Sequence, residues 1–133
     1  LLKNYARGGE KVVTVDSDYN GLGAYAVRDH RTKTLTLLLI NKHPTAALNV
    51  KVSVANFQVG QQADVYAYGI PQDEAARTGT GSADVTHTTI TLSGPTFTYT
   101  PDPYSATVIK ISKPHSVNGR GDDDDDHDYF DCN

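Results

Sequence analysis

The chain has 133 residues, a length that accommodates one domain and little more. A domain of this size buries about two-thirds of its unfolded surface, so it needs neither a metal nor a disulfide to be stable. No apolar run reaches the roughly 18 residues of a membrane helix. The single cysteine excludes an intrachain disulfide and a four-thiolate zinc site. We therefore expect a globular domain that does not enter a membrane and requires no cofactor.

The net charge of −4 is unevenly distributed along the chain. Residues 114–133 carry a charge of −6, whereas residues 1–113 carry +2. The first 113 residues have no cluster of Lys and Arg, so they lack the basic surface that nucleic-acid binding requires. The aspartate run near the C-terminus repels itself and has little apolar surface to bury. The sequence thus predicts a folded domain over 1–113, a disordered acidic tail over 114–133, and no nucleic-acid partner.

Turn signals recur about every ten residues between short β-branched runs, a spacing typical of an all-β sandwich or barrel. We predict an antiparallel Greek-key β-sandwich of about eight strands. The predicted strands cover residues 11–16, 22–28, 34–40, 47–55, 63–68, 88–92, 96–100 and 105–112.

Two of these strands indicate how the sheets are buried. The fourth predicted strand alternates strictly, with the apolar side chains from Leu48 to Val54 on one face and polar side chains on the other. This pattern predicts one buried face and one solvent-exposed face. The third strand has leucines on one face and also Leu38 and Ile40 on the other. It is therefore predicted to be central, with its second face covered by a neighbouring loop or by a further domain.

Helix signals are scarce. Residues 71–76 could form one turn, because proline suits the first helical position and acidic residues suit the N-terminal end. This turn lies in the long connection 69–87, and such a connection usually has a role. We interpret that role as packing against another domain rather than ligand binding.

Several stretches together resemble a known domain. They are residues 2–9 (LKNYARGG), 24–27 (AYAV), 37–42 (LLLINK), 65–69 (VYAYG) and, most recognisably, 103–108 (PYSATV). They are similar to the C-terminal β-sandwich that follows the (β/α)8 barrel in retaining glycoside hydrolases of the cellulase-like and arabinofuranosidase-like kind. The resemblance implies an accessory domain of a secreted enzyme whose catalytic carboxylates lie on the barrel. Residues 1–7 would then belong to the junction with that barrel, which agrees with a chain that contains no methionine.

No residue of this chain is predicted to be catalytic. Glycoside hydrolysis needs two carboxyl groups facing each other across a sugar, whereas Asp73 and Glu74 are adjacent and are interpreted as a solvated helix start. The five histidines are scattered over turns and the tail, without the paired spacing of a metal site or a neighbouring nucleophile. We interpret them as surface residues.

The tail offers three weaker candidates. Asp122, Asp124 and Asp126 could hold calcium loosely, but the run lacks the glycine and terminal glutamate of an EF-hand loop, so a solvated tail is the preferred interpretation. Residues 120–122 spell Arg-Gly-Asp, a tripeptide read by adhesion receptors, which we attribute to chance. Cys132 is interpreted as a free thiol, with pairing to another chain as the alternative.

The aromatic residues give the one candidate site in the folded part. Period-two geometry puts Tyr66 and Tyr68 on one face of the fifth strand, about 7 Å apart, together with Asp64. Two exposed rings fit either glycan binding or docking on a catalytic barrel. The absence of Trp, the best stacking ring, favours docking. Phe97 and Tyr99 alternate with threonines and are assigned to the core.

Three functions are compatible with these features. The preferred one is a non-catalytic accessory domain of a secreted, extracellular glycoside hydrolase that packs against a catalytic barrel. The second is a carbohydrate-binding module acting through Tyr66 and Tyr68. The third is a self-assembling extracellular structural or adhesion subunit that accepts strands from copies of itself at an open sheet edge. A detached N-terminal segment and threonine-rich strands such as Thr86–Thr91 would suit this role.

Overall fold

The computed structural model describes residues 1–6 and 8–113 as two antiparallel β-sheets and two helices. The order of elements along the chain is α1 (Leu2–Tyr5), β1 (Lys11–Val13), β2 (Leu22–Asp29), β3 (Thr34–Asn41), β4 (Val50–Ser53), β5 (Gln62–Tyr68), α2 (Ile70–Thr78), β6 (Thr86–Thr91), β7 (Thr96–Tyr99) and β8 (Ser105–Ser112).

The two sheets are unequal in width. The larger has six strands in the order β1-β2-β3-β8-β5-β6, and the smaller contains only β4 and β7. The chain crosses from the large sheet to the small one after β3 and again after β6. It returns with β5 and then with β8, which lies between β3 and β5. Such crossings are characteristic of Greek-key sandwiches. The predicted antiparallel sandwich of eight strands is confirmed.

The strand positions agree with the predictions better than the strand ends do. The first and fourth strands are shorter than predicted, because β1 ends at Val13 and β4 covers only Val50–Ser53. A strand extends only as far as it has a partner, and β4 pairs with the four residues of β7 alone. In contrast, β6 begins at Thr86, two residues earlier than predicted, because it continues its pairing with β5 to Ala67.

The core lies between the inner face of the large sheet and the small sheet. Its centre consists of alternate residues of the four central strands of the large sheet, including Ala26, Leu37, Val65 and Ile109, and Phe57 joins them from the connection after β4. On the small sheet Val50 and Val52 point inward while Lys51 and Ser53 are exposed, as the alternation predicted. Phe97 and Tyr99 of β7 pack against the same core, which confirms their assignment.

The outer face of the large sheet is also largely buried at its centre. Leu38 on β3 and Val108 on β8 lie side by side there, and both are buried. Helix α1 packs against β3 and β8. The predicted second cover of β3 is therefore supplied by the N-terminal segment of the same chain, a helix that the sequence analysis did not predict.

Helix α2 is longer than the single turn predicted for residues 71–76. It starts after Gly69, whose backbone N–H donates to the side-chain oxygen of Gln72 at 2.8 Å. It ends at Gly79, which has a φ of 77°, the left-handed conformation that glycine adopts most readily. An ion pair between Glu74 and Arg77 lies on its exposed side. Ala75 is buried, so the helix rests on the sheet beside β5.

A buried asparagine joins two distant turns. The Nδ2 group of Asn41 donates to the carbonyl oxygens of Ala46 at 2.9 Å, Pro101 at 3.2 Å and Asp102 at 2.9 Å. Its Oδ1 accepts the backbone N–H of His43 at 2.9 Å. The side chain of Asn41 thus pairs the N–H of His43 and the carbonyl of Ala46 in the turn after β3. In the turn before β8 it adds a second donor to the carbonyls of Pro101 and Asp102, which also accept from Leu48 and Ser105.

The predicted acidic tail, 114–133, lies outside the described residues. The same holds for the calcium candidates Asp122, Asp124 and Asp126, for the Arg-Gly-Asp tripeptide and for Cys132. Within the described part of the chain, neither helix is long and apolar enough to cross a membrane.

Candidate functional site

The three predicted site residues lie on the outer face of the large sheet, near the end of it that carries β6. Ala63 and Val65 of β5 belong to the core. Asp64, Tyr66 and Tyr68 alternate with them, and each is half-buried. Cross-strand pairing places Tyr66 between Val108 of β8 and His87 of β6.

His87 joins these residues in the candidate cluster, whereas the sequence analysis had interpreted it only as a surface histidine. Its ring stacks on Tyr66, with ring centroids 4.4 Å apart and an angle of 16° between the planes. Its Nε2 atom lies 3.2 Å from Oδ1 of Asp64. One face of the Tyr66 ring is therefore covered by His87, so Tyr66 and Tyr68 do not form a pair of fully open platforms.

This arrangement limits what the cluster can do chemically. The side chains of His87 and Asp64 are about half exposed, at 53% and 49%. A polar pair with this exposure can exchange hydrogen bonds with a ligand. Among the residues that the structure describes, however, no serine, threonine or cysteine side chain is bonded to His87 as a nucleophile would be. No group of three or more His, Cys, Asp or Glu side chains in the described residues is arranged to hold a metal ion.

The other polar candidates have structural roles. The Nδ1 atom of His43 accepts the backbone N–H groups of Thr45 and Ala46 at 3.2 and 3.0 Å, so this ring caps its own turn. Glu74 pairs with Arg77 along α2.

A strip of apolar side chains, some exposed and some half-buried, runs along one end of the outer face. Tyr25 is 53% exposed, and its ring leans over Gly23. The register continues from Gly23 to Ile40, to Ala106 and then to Tyr68. Beyond Tyr68, Ile70 begins α2 at 40% exposure, and Tyr104 lies beside Gly69 at 58% exposure. We call Tyr25, Ile40, Tyr68, Ile70 and Tyr104 the apolar strip.

Two tyrosines near these surfaces have raised pKa values. Burial raises the pKa of Tyr5 on α1, and the nearby charges of Glu10 and Tyr25 add to this effect. Burial likewise raises the pKa of Tyr99 on the small sheet, and the nearby charge of Asp102 raises it further. Both phenols therefore remain neutral and protonated at neutral pH, and neither is available as a base.

A groove of about 1060 Å³ opens where the small sheet fails to cover the large one. Its floor is the inner face of the first strands of the large sheet, and one wall is β4. Its lining includes Val13, Leu22, Ala24, Val50 and Val52, which are partly buried side chains packed against the core. No titratable pair converges in it at hydrogen-bonding distance, so it has the character of an incompletely covered core.

No known protein-family model matches this chain, and no curated protein is significantly similar to it in sequence. Solved structures are similar in fold. A xyloglucanase of glycoside hydrolase family 44 from Paenibacillus polymyxa matches with a TM-score of 0.60 and 21% identity, over 73% of this chain and 18% of that one. The chain shares its fold with part of a glycoside hydrolase.

Two further structures repeat this pattern. A GH30 endoxylanase from Clostridium papyrosolvens matches with a TM-score of 0.61 and 16% identity, over 82% of this chain and 25% of that one. An α-L-arabinofuranosidase from Thermotoga maritima matches with a TM-score of 0.52 and 26% identity, over 68% of this chain and 19% of that one. The chain thus spans a quarter or less of the glycoside hydrolases that it matches.

Proposed function

We propose that this chain is a non-catalytic accessory domain of a secreted glycoside hydrolase. The observation that supports the proposal is the coverage: this chain matches over 82% of its own length in the endoxylanase, but over only 25% of that enzyme. The described residues agree with it, since Asp73 and Glu74 lie on a surface helix and the Asp64–His87 pair lacks a nucleophile. The reacting carboxylates would then lie on a catalytic barrel, as the sequence resemblance implies.

The apolar strip is the surface that we assign to the contact with that barrel. Exposed apolar area of this kind generally marks an interface on an accessory domain. A docking contact of ordinary size buries roughly 800 Å² per partner, and the strip provides aromatic side chains, which contribute strongly to such contacts. Tyr25 and Tyr104 are its most exposed members.

The first test is the coding sequence upstream of Leu1. We expect strands alternating with helices, with two glutamates at strand ends. The purified 133-residue chain should release no reducing sugar from xyloglucan, xylan or arabinan. A sugar-releasing activity that co-purifies with this chain through successive columns would refute the proposal.

The docking surface is tested in the precursor. Tyr25→Ser should lower the melting temperature of the precursor while leaving kcat unchanged, but should hardly alter the melting temperature of the isolated domain, because Tyr25 is exposed there. Tyr19→Ser is the matched control, since Tyr19 is also exposed, at 44%, but lies outside the apolar strip. Equal effects of the two substitutions on the precursor would contradict the assigned surface.

Carbohydrate binding is the second candidate function. The observation that favours it is the Asp64–His87 pair, whose exposed polar atoms adjoin the rings of Tyr66 and Tyr68 on one face. Because His87 covers one face of Tyr66, we assign the stacking role to Tyr68. Affinity electrophoresis in gels containing xyloglucan or xylan tests this: Tyr68→Ala should abolish retardation and Tyr19→Ala should not. If the unmodified chain migrated in every polysaccharide gel as fast as in a gel without polysaccharide, this interpretation would be wrong.

A further inference from the structure

The free edges of the two sheets differ in how well they are protected against pairing. Among residues 1–6 and 8–113, the large sheet ends in β1 on one side and β6 on the other, and each strand of the small sheet has one edge without a partner strand. A free edge presents unpaired N–H and C=O groups and is a template for another strand. Natural proteins block such edges with short strands, lysine, proline or bulges.

Three of the four edges carry such protection. β1 has three residues and includes Lys11. β4 has four residues, with Lys51 exposed in its middle. β7 also has four residues, and it lies between Pro95 and Pro101.

The fourth edge, β6, has none of these features. It is six residues long, contains no lysine, proline, aspartate or glutamate, and is exposed at every position except Ile90. Its register with β5 runs without interruption from Thr91 opposite Gln62 to Thr86 opposite Ala67, so no bulge twists the edge away. Four of its six residues are threonines, which favour strands.

We propose that β6 is a pairing surface for a second copy of this chain, forming a dimer about a two-fold axis. The two β6 strands would run antiparallel and join the two large sheets into one. This proposal goes beyond the accessory role, because β6 lies at the opposite end of the large sheet from β1 and includes no member of the apolar strip.

The composition of β6 fits a copy of itself. When the two-fold axis is perpendicular to the sheet, outer-face residues meet outer-face residues, so the axis passes through Thr88 or through Thr89. His87 then lies opposite Thr89 or Thr91, and two histidines never face each other. The other cross-strand pairs join threonine to threonine or threonine to Ile90, and such pairs stabilise antiparallel sheets. No like charges meet.

The size of the contact predicts its strength. With the axis at Thr88 or Thr89, five residues of each β6 strand pair with the other copy, and they make about four to six backbone hydrogen bonds. Such an edge-to-edge contact lies at the small end of protein interfaces, which are weak and transient. Because the pairing uses the β6 edge of both copies, it closes as a dimer and does not propagate into a fibre.

Sedimentation velocity of the full 133-residue chain, at concentrations up to about 1 mM and with reductant present to exclude a Cys132 disulfide, tests the proposal. We expect reversible dimerisation. Thr89→Lys should raise the dissociation constant at least tenfold, because it brings two ammonium groups together near the axis. Thr80→Lys, an identical change of charge at an exposed position outside the edge, should leave the constant unchanged. Circular dichroism should show that both variants are folded.

Hydrogen exchange identifies the surface independently of the variants. In the unmodified chain, the amides of β6 that point away from β5 should exchange more slowly as the protein concentration rises. A chain that remains monomeric throughout the concentration range would overturn the proposal. So would a dimer that Thr89→Lys and Thr80→Lys weaken equally, or one that forms without protection of β6.

Discussion

Asn41 allows a quantitative test of how much the hydrogen bonds to the turn after β3 and to the turn before β8 contribute to stability. Asn41 is 1% exposed, and its amide makes contacts with four backbone groups in two segments about 60 residues apart. Asn41→Ala removes these hydrogen bonds. It leaves the N–H of His43 and the carbonyl of Ala46 without this partner, whereas the carbonyls of Pro101 and Asp102 keep their bonds from Leu48 and Ser105. At about 1 kcal/mol for each bond, reduced because two of the carbonyls keep a second donor, the free energy of unfolding should fall by about 3 kcal/mol. For a domain of this size, that lowers the melting temperature by about 12 °C.

The assay is urea unfolding followed by far-ultraviolet circular dichroism. Asn49→Ala is the matched control, because Asn49 is exposed and accepts a single hydrogen bond, from Oγ1 of Thr100 at 2.9 Å. It should change the free energy of unfolding by less than about 0.5 kcal/mol. Asn41→Asp keeps the shape of the side chain but replaces its donor with an oxygen facing three carbonyls, so it should destabilise the protein more than alanine does.

The three substitutions separate hydrogen bonding from packing. If Asn41→Ala destabilised the domain no more than Asn49→Ala, the bonds to the two turns would contribute nothing net. If Asn41→Asp were milder than Asn41→Ala, shape rather than donation would be the property that matters. Either result would refute the reasoning.

Two further predictions concern acid stability and a close backbone contact. The carboxylate of Asp29 accepts the backbone N–H of Arg31 at 2.9 Å, which lowers the pKa of Asp29. The contribution of Asp29 to stability is therefore present above pH about 4 and is lost as the pH falls through the lowered pKa. The destabilisation caused by Asp29→Asn should accordingly shrink between about pH 6 and pH 2. A difference in stability between the two proteins that is constant with pH would contradict this. At Gly60 an added Cβ would lie 2.8 Å from the carbonyl oxygen of Ser112, whereas at Gly94 it would meet nothing within 4 Å. Gly60→Ala should thus cost about 1–3 kcal/mol in thermal unfolding and Gly94→Ala close to nothing, and equal costs would show that the contact is relieved without strain.

The strand pattern was predictable where a single strand carries enough information by itself. In β4 the alternation of Val50 and Val52 with polar residues gives the buried face without knowledge of any partner. In β3 the two-sided apolar pattern correctly indicated cover on both faces. What covers the outer face was not predictable, because the four residues of α1 carry no capping signal and make no side-chain cap.

The candidate site was predictable only in part, for a related reason. Period-two geometry is enough to put Asp64, Tyr66 and Tyr68 on one face. The position of His87 depends on the register between β5 and β6, and these strands are separated by α2 and a further loop whose lengths do not fix a register. Asn41 was missed likewise, since its partners are the carbonyl groups of residues distant in sequence.

Helix α1 also determines how this domain can be shortened. It is joined to β1 through Gly8 and Gly9, both with positive φ, at 108° and 90°, so its attachment relies on a pair of glycines. It contacts β3 and β8, whose outer-face residues Leu38 and Val108 are 7% and 0% exposed. A recombinant chain that starts at β1 would lack α1, which would expose these side chains to solvent and promote aggregation. The smallest well-behaved expression unit therefore includes the first six residues, even though none of them belongs to a sheet.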